Sequence, residues 1–369
     1  MVLQHSVSVI HRYIAKECLK YLILVQTVIL SIFIVVEYLE SMDRFQKMGL
    51  SMARGLFYVL LKMPYMINLL LPVCMMLSSV IVVSLMNRNN EIIVLKTSGM
   101  PVFFLLQPLL FISFIAACLI FIASETIVPI SMTRVNYIKH TQLQKRDVVA
   151  AKGKNIWIKG KHQITHIAYY DQQTGMIFGI SLNCFNDEFQ LIKRVDAKAG
   201  VYINGTWRLF DALEYLPLKG QKGNIAQNQS QYYSIKDEVL DFSKEDLLSV
   251  VKTSEEMRFK ELLAHIQKIE SDGYEAVNYK VDLFAKTSFP LAAIILCLLG
   301  TSFAIRSKHK YHMALSIAYG ILIAFSYWVC HSFCLSLGYG TVLNPFWASW
   351  STNFLFLGIS LIQFFNATE

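Results

Sequence analysis

Nucleotide hydrolysis is the first chemistry to test, because a P-loop needs a glycine-rich turn whose amides cradle phosphate, followed by Lys and Ser or Thr. The chain has no such run. His162 and His166 share the HxxxH spacing of a zinc helix, yet the Glu that would act as base is missing, and Gln163-Ile164-Thr165 alternates like a strand. No GxSxG turn gathers a nucleophile with a base and an acid. Cys330 and Cys334 share one helical face, but they sit inside an apolar run and read as packing residues. No catalytic residue, metal site or cofactor is therefore expected.

Two other signals stand out. Charged groups border or enter apolar runs: Glu37 and Glu40, Lys62 with Asn68, Pro64 and Pro72, and Lys286. Such groups must be paired, hydrated or long enough to reach the interface, and prolines free carbonyls that need partners. The second signal is Asn87 to Pro101, which reads as a short helix. Asn89 or Asn90 can cap it, Glu91 suits its first turn, Gly99 supplies a left-handed terminus and Pro101 stops it. Its apolar run, Ile92 to Leu95, must be covered by something, since each such side chain left wet forfeits about 1.5–3 kcal/mol. The choices are the bilayer interface or a groove in a soluble partner.

The elements that would position these residues follow from composition. Of 369 residues, 54% are hydrophobic and 16% charged, more apolar than a soluble domain. Six runs are long enough to span a bilayer: Leu19 to Leu39, Lys62 to Met86, Val102 to Ser124, Thr287 to Ile305, Met313 to Leu337 and Pro345 to Phe365. Between the third and fourth, roughly Glu125 to Lys286, short alternating runs are separated by turn signals such as Asn204-Gly205, so this insert reads as an antiparallel β-sandwich or jelly roll. Gly220 to Ser230 reads as a loop, and Ser254 to Ser271 turns helical, with Met257, Leu262 or Leu263, and Ile266 on one face.

The net charge is +8, yet residues 125–282 hold 21 Lys and Arg against 20 Asp and Glu. The basic excess thus lies beside the apolar runs, which fits anionic head groups and argues against nucleic acid. The odd count of seven cysteines, mostly in or beside those runs, argues against a disulfide framework. The N-terminal flank and the second and fourth loops carry eight Lys and Arg, against three in the first and fifth loops. Both termini are therefore expected in the cytoplasm and the insert outside it. The first apolar run lacks a cleavage site and reads as a retained helix.

Several segments resemble the lipopolysaccharide-export permeases LptF and LptG (YjgP/YjgQ-like). They are Arg12-Tyr13-Ile14, the Glu91 to Gly99 helix, Pro129 with Asn136-Tyr137, and the stretch from Met257 to Pro290 with Asp272-Gly273, Tyr279 and Lys286. Phe178-Gly179-Ile180-Ser181 and Trp207-Arg208-Leu209 look closer to LptG. The resemblance implies an α-helical membrane protein with six transmembrane helices (3+3) and an inserted extracytoplasmic antiparallel β-jelly-roll domain. Its parts would be 1–124 with a coupling helix at 89–98, 125–286, and 287–369. It further implies a permease subunit of an ABC-type exporter that extracts lipopolysaccharide from the inner membrane. Its partners would be an LptB-like ATPase dimer, an LptF-like second permease and an LptC-like bitopic protein. The coupling helix, with Glu91, Ile92, Leu95, Lys96 and Gly99, would meet the ATPase. Arg44 and Arg134, just outside spans one and three, and Lys62 are the expected substrate contacts. Family members often place Lys where this chain has Glu37. Two other readings compete: a secondary transporter, which would want repeated halves that the chain does not display, and a membrane-anchored sensor with a ligand-binding β domain.

Overall fold

In hydrocarbon a backbone satisfies its own hydrogen bonds only as a helix or a closed barrel. The long apolar runs fold accordingly. A computed structural model describes residues 2–47, 52–143, 156–160, 162–171, 174–203, 205–216, 229–240, 252–271, 273, 275–306 and 313–368. Before the strands come α1 (Val2–Lys47), α2 (Met52–Arg88), α3 (Glu91–Thr97), α4 (Val102–Glu125) and α5 (Ile127–Leu143). After them come α6 (Phe259–Ser271), α7 (Val277–Ser288), α8 (Ala292–Arg306), α9 (Met313–Tyr339) and α10 (Pro345–Thr368).

Six helical stretches are long and apolar enough to cross a membrane: Val9–Met42, Met52–Arg88, Leu106–Glu125, Val277–Ile305, Ala314–Tyr339 and Pro345–Asn366. They match the six expected runs, three on each side of the insert. The first two run longer: the first takes in Val9 to Cys18 with His11, Arg12, Lys16 and Glu17, the second the largely apolar Met52 to Leu61, and α2 carries Pro64 and Pro72 without interruption. The fourth begins at Val277 rather than Thr287. It is broken by a 3-10 turn at Phe289–Leu291, where Pro290 has no amide to offer.

Two units divide the chain. One comprises Met1–Val135, Ser254–Gln267 and Glu275–Glu369, the other Asn136–Thr253 and Lys268–Tyr274. In the helical unit α2 is the central element. Its buried side chains join Ile14 and Cys18 of α1, Leu106 and Leu109 of α4, and Cys297 and Ala304 of α8 in one core. It packs tightly against α8 at Gly300, where a Cβ would lie 2.9 Å from Met76 Cγ and 3.0 Å from Val80 Cγ2. A second cluster gathers Met76, Leu296, Tyr327 and Phe356.

The other unit holds one antiparallel sheet of six strands in sequence order: β1 (Ile156–Lys159), β2 (Gln163–Asp171), β3 (Met176–Phe185), β4 (Leu191–Ile203), β5 (Thr206–Leu216) and β6 (Gln229–Glu238). It is not closed into a barrel, and among the described residues no strand makes the crossover of a jelly roll. Of the expected loop from Gly220 to Ser230, residues 220–228 lie outside the described residues, while Gln229 and Ser230 already belong to β6. His166 lies on β2 with its ring tilted 41° against Trp157, ring centroids 4.5 Å apart.

A crease crosses this sheet. Pairing skips one residue in each strand from β2 to β6, namely Ala168, Gly179, Lys198, Asp211 and Ser234, without any slip of register there. Burial changes phase at the same level: Trp207 and Leu209 are buried on one side, Ala212 and Glu214 on the other. Since alternate residues of a flat strand face opposite ways, this phase change lets both halves of a strand turn inward. Gly179 permits the bend twice over: its φ is +61°, and a Cβ would sit 2.8 Å from Ala168 Cβ. Ile167, Ile177, Ile180, Val195, Trp207, Leu209 and Ala212 then share one core.

Candidate functional site

The helix α3 follows α2 after a two-residue turn and sits at the end of the bundle where α1 and α4 begin. Asn90 occupies its N-cap in the left-handed region, with φ 60°, and makes no side-chain cap. Asn89 instead donates from Nδ2 to Glu91 Oε1 at 3.1 Å, so the expected side-chain cap is replaced by a brace on the first acidic residue. The C-terminus is as expected. Gly99 takes φ +77°, its amide donates to the Lys96 carbonyl at 3.1 Å, and the Met100 amide reaches the Leu95 carbonyl at 3.1 Å, which is a Schellman closure.

The apolar run is divided between two faces. Ile92 is 4% exposed and joins the α1/α2/α4 core, and Leu95 packs against that core. Ile93 and Val94 are 37% and 60% exposed. Lys96 and Gly99 are exposed as well, and Glu91 is half-buried. Neighbouring contacts fix the platform: the His11 ring nitrogen Nε2 lies 3.0 Å from the Phe104 carbonyl, and Asn87 Nδ2 donates to the Ala304 carbonyl at 3.5 Å.

The charged candidates fall elsewhere in the helical unit. Lys62 Nζ donates to Glu37 Oε1 at 2.8 Å, so span one supplies the counter-charge that span two needs. Arg134 is exposed on α5. Arg44 belongs to α1, but its side chain lies outside the described residues. No described contact brings these three together.

A set of contacts that the sequence did not announce ties the return from the insert to the spans. Both Glu125 oxygens accept from the Phe259 amide, at 2.9 and 3.1 Å, so a residue at the end of span three caps α6. Lys286 donates to the Met257 carbonyl rather than reaching toward water. Tyr65 donates to Glu255 Oε1 at 3.4 Å and Tyr339 to Asp282 Oδ1 at 2.6 Å. Burial, with Asp282 adding to it, pushes the Glu255 carboxyl above the usual carboxylate range. At the break in span four, Asn353 Nδ2 donates to the Ser288 carbonyl at 2.7 Å while its Oδ1 accepts from Tyr327 at 2.9 Å. Pro290 was the only sequence hint of this clamp. Its other members are ordinary polar residues inside apolar helices.

A sequence model of the family described as "Lipopolysaccharide export system permease LptF/LptG" matches residues 12–365. The chain belongs to this family. Among curated proteins no match was found. As an LptF/LptG permease it is a transporter subunit of the lipopolysaccharide-export machinery, and its apolar helices make it a multi-pass inner-membrane protein. Among the described residues, no group of three or more His, Cys, Asp or Glu could hold a metal ion.

Proposed function

We propose that this permease is the LptG-like half of an ABC-type exporter that extracts lipopolysaccharide from the inner membrane toward a periplasmic bridge. Both termini and α3 would face the cytoplasm and the β domain the periplasm. ATP would be hydrolysed by an LptB-like dimer, with an LptF-like chain completing the membrane part and an LptC-like bitopic protein joining it.

The observation that carries this reading is the division of α3 into two faces. Ile92 and Leu95 anchor it to the bundle, whereas Ile93 and Val94 point away from that core. Exposed aliphatic side chains on an anchored helix are what a helix-in-groove contact with a soluble ATPase requires. Glu91, in the first turn, supplies a charge for a complementary groove. Arg44 and Arg134 remain the proposed phosphate contacts, and Lys62 would contribute by sharing its ammonium between Glu37 and the substrate.

The test is recovery of the ATPase on affinity-tagged permease from detergent extracts. Val94→Asp and Glu91→Lys should each lower recovery while leaving membrane insertion unchanged. Undiminished recovery with both variants would remove α3 from the contact.

A further inference from the structure

The crease brings together residues that a flat sheet would keep far apart. Glu214 is level with Gln231 and Lys236 with Leu209, so these two would stand about 17 Å apart along a flat strand. Lys193 precedes Arg194, which pairs with Tyr215, whereas Glu238 pairs with Trp207, so that separation would be about 30 Å. Yet Lys236 Nζ lies 2.7 Å from Glu214 Oε2, and Lys193 Nζ lies 2.7 Å from Glu238 Oε1. Within each half, Lys236 meets Glu238 at 3.1 Å and Lys193 approaches Glu214 at 4.0 Å. Four charges of alternating sign thus close a ring on the inward face of the folded sheet. Their side chains are only 10–26% exposed.

Among the described residues β6 pairs only with β5, and the ring lies along that edge. Further in, the two halves are joined by apolar contact around Trp207, Leu209 and Ile180. The two kinds of closure respond differently to opening. Apolar side chains lose their whole driving force when wetted. Ion pairs regain hydration as they separate, so the net cost of parting them is small. On the opposite face Arg208 forks onto Asp237, with bonds of 2.8 and 3.1 Å, and fastens β6 to β5. The halves can therefore part by flexing at the crease without peeling β6 away.

We propose that Lys193, Glu214, Lys236 and Glu238 form an ionic lock that sets how far the two halves of the folded sheet stand apart at its β6 edge. Tyr233, whose ring lies 4.8 Å from Lys236 Nζ, backs the lock.

Spin labels at Leu216→Cys and Val239→Cys, both exposed and on opposite halves, report the gap in the full chain reconstituted in lipid nanodiscs. Cys118, Cys184, Cys330 and Cys334 are first replaced, since the other three are buried. Glu214→Lys should shift the distance distribution to longer values. Inverting all four charges should restore the original distribution. If Glu214→Lys prevents folding, Glu214→Gln and raised salt on the unaltered lock are read in the same way. An unchanged distribution in the neutralised variant and at high salt, or a shift that the fourfold inversion does not reverse, overturns the lock.

Discussion

Ile92 and Val94 stand two positions apart on α3 and should fail in different ways. Ile92→Asp would bury a carboxylate in the core that Ile92 shares with Ile14, Met86 and Leu106, so the expected outcome is loss of thermal stability and of membrane-extracted protein. Val94→Asp leaves stability intact and removes only what docks on the exposed face. Melting curves of the two purified variants, followed by fluorescence, separate the effects. Gly99→Ala isolates backbone strain, because no atom lies within 4 Å of the added Cβ while φ is +77°. A cost of about 1–2 kcal/mol is expected, measured as a lowered midpoint of thermal unfolding. The helix itself was legible, since Glu91, Gly99 and Pro101 are local signals. Which of its apolar residues face the bundle was not. Four consecutive aliphatics carry no helical phase until α1, α2 and α4 are in place around Ile92.

At the scale of elements, span four depends on a clamp contributed by spans five and six. Asn353→Leu removes both the donor to the Ser288 carbonyl and the acceptor for Tyr327. Interhelical hydrogen bonds in membranes are worth about 0.6–2 kcal/mol, so a loss of that order in resistance to thermal unfolding is expected. Tyr327→Phe should cost less, because it leaves the Ser288 carbonyl satisfied. In the sheet, the hydrogen bond from Lys236 holds the Glu214 carboxyl below the usual carboxylate range. A folded-state value depressed in this way contributes stability above the unfolded value and loses it as pH falls through the folded one. The stability of the β unit should therefore drop as pH falls below about 4.3, the ordinary Glu value. Glu214→Gln should flatten that part of the profile in pH-dependent melts. The hairpin signal at Asn204-Gly205 was readable: Asn204 lies outside the described residues, and Ile203 pairs with Thr206 on either side. The crease was not: in the sequence Phe189 to Val195 and Val201 to Ile203 are two separate alternating runs, whereas β4 is continuous from Leu191 to Ile203. A change of alternation at Lys198 looks, in one dimension, like the end of a strand.

For the whole molecule, six spans and one inserted sheet were legible because hydropathy and alternation are local properties. How the halves pack was hidden, because it rests on small residues such as Gly300 meeting side chains far away in sequence. Topology offers the broadest check. A cysteine at Gly205 should react with an impermeant thiol reagent in intact cells, and one at Ser98 only after the membrane is opened. The opposite pattern would reverse the proposed orientation and the direction of transport.

The approach of Met76 to Gly300 also bears on how the chain is made. These residues are 224 positions apart, and synthesis proceeds at about 5–20 residues per second. Span two, with 78% of its most apolar window buried in the finished protein, must therefore wait in the bilayer for about 11–45 s before α8, which packs against it at Gly300, exists. During that interval the sheet can complete its own ladder, since each strand pairs with the next. The helical unit thus reaches its native packing last, although its first half is translated first.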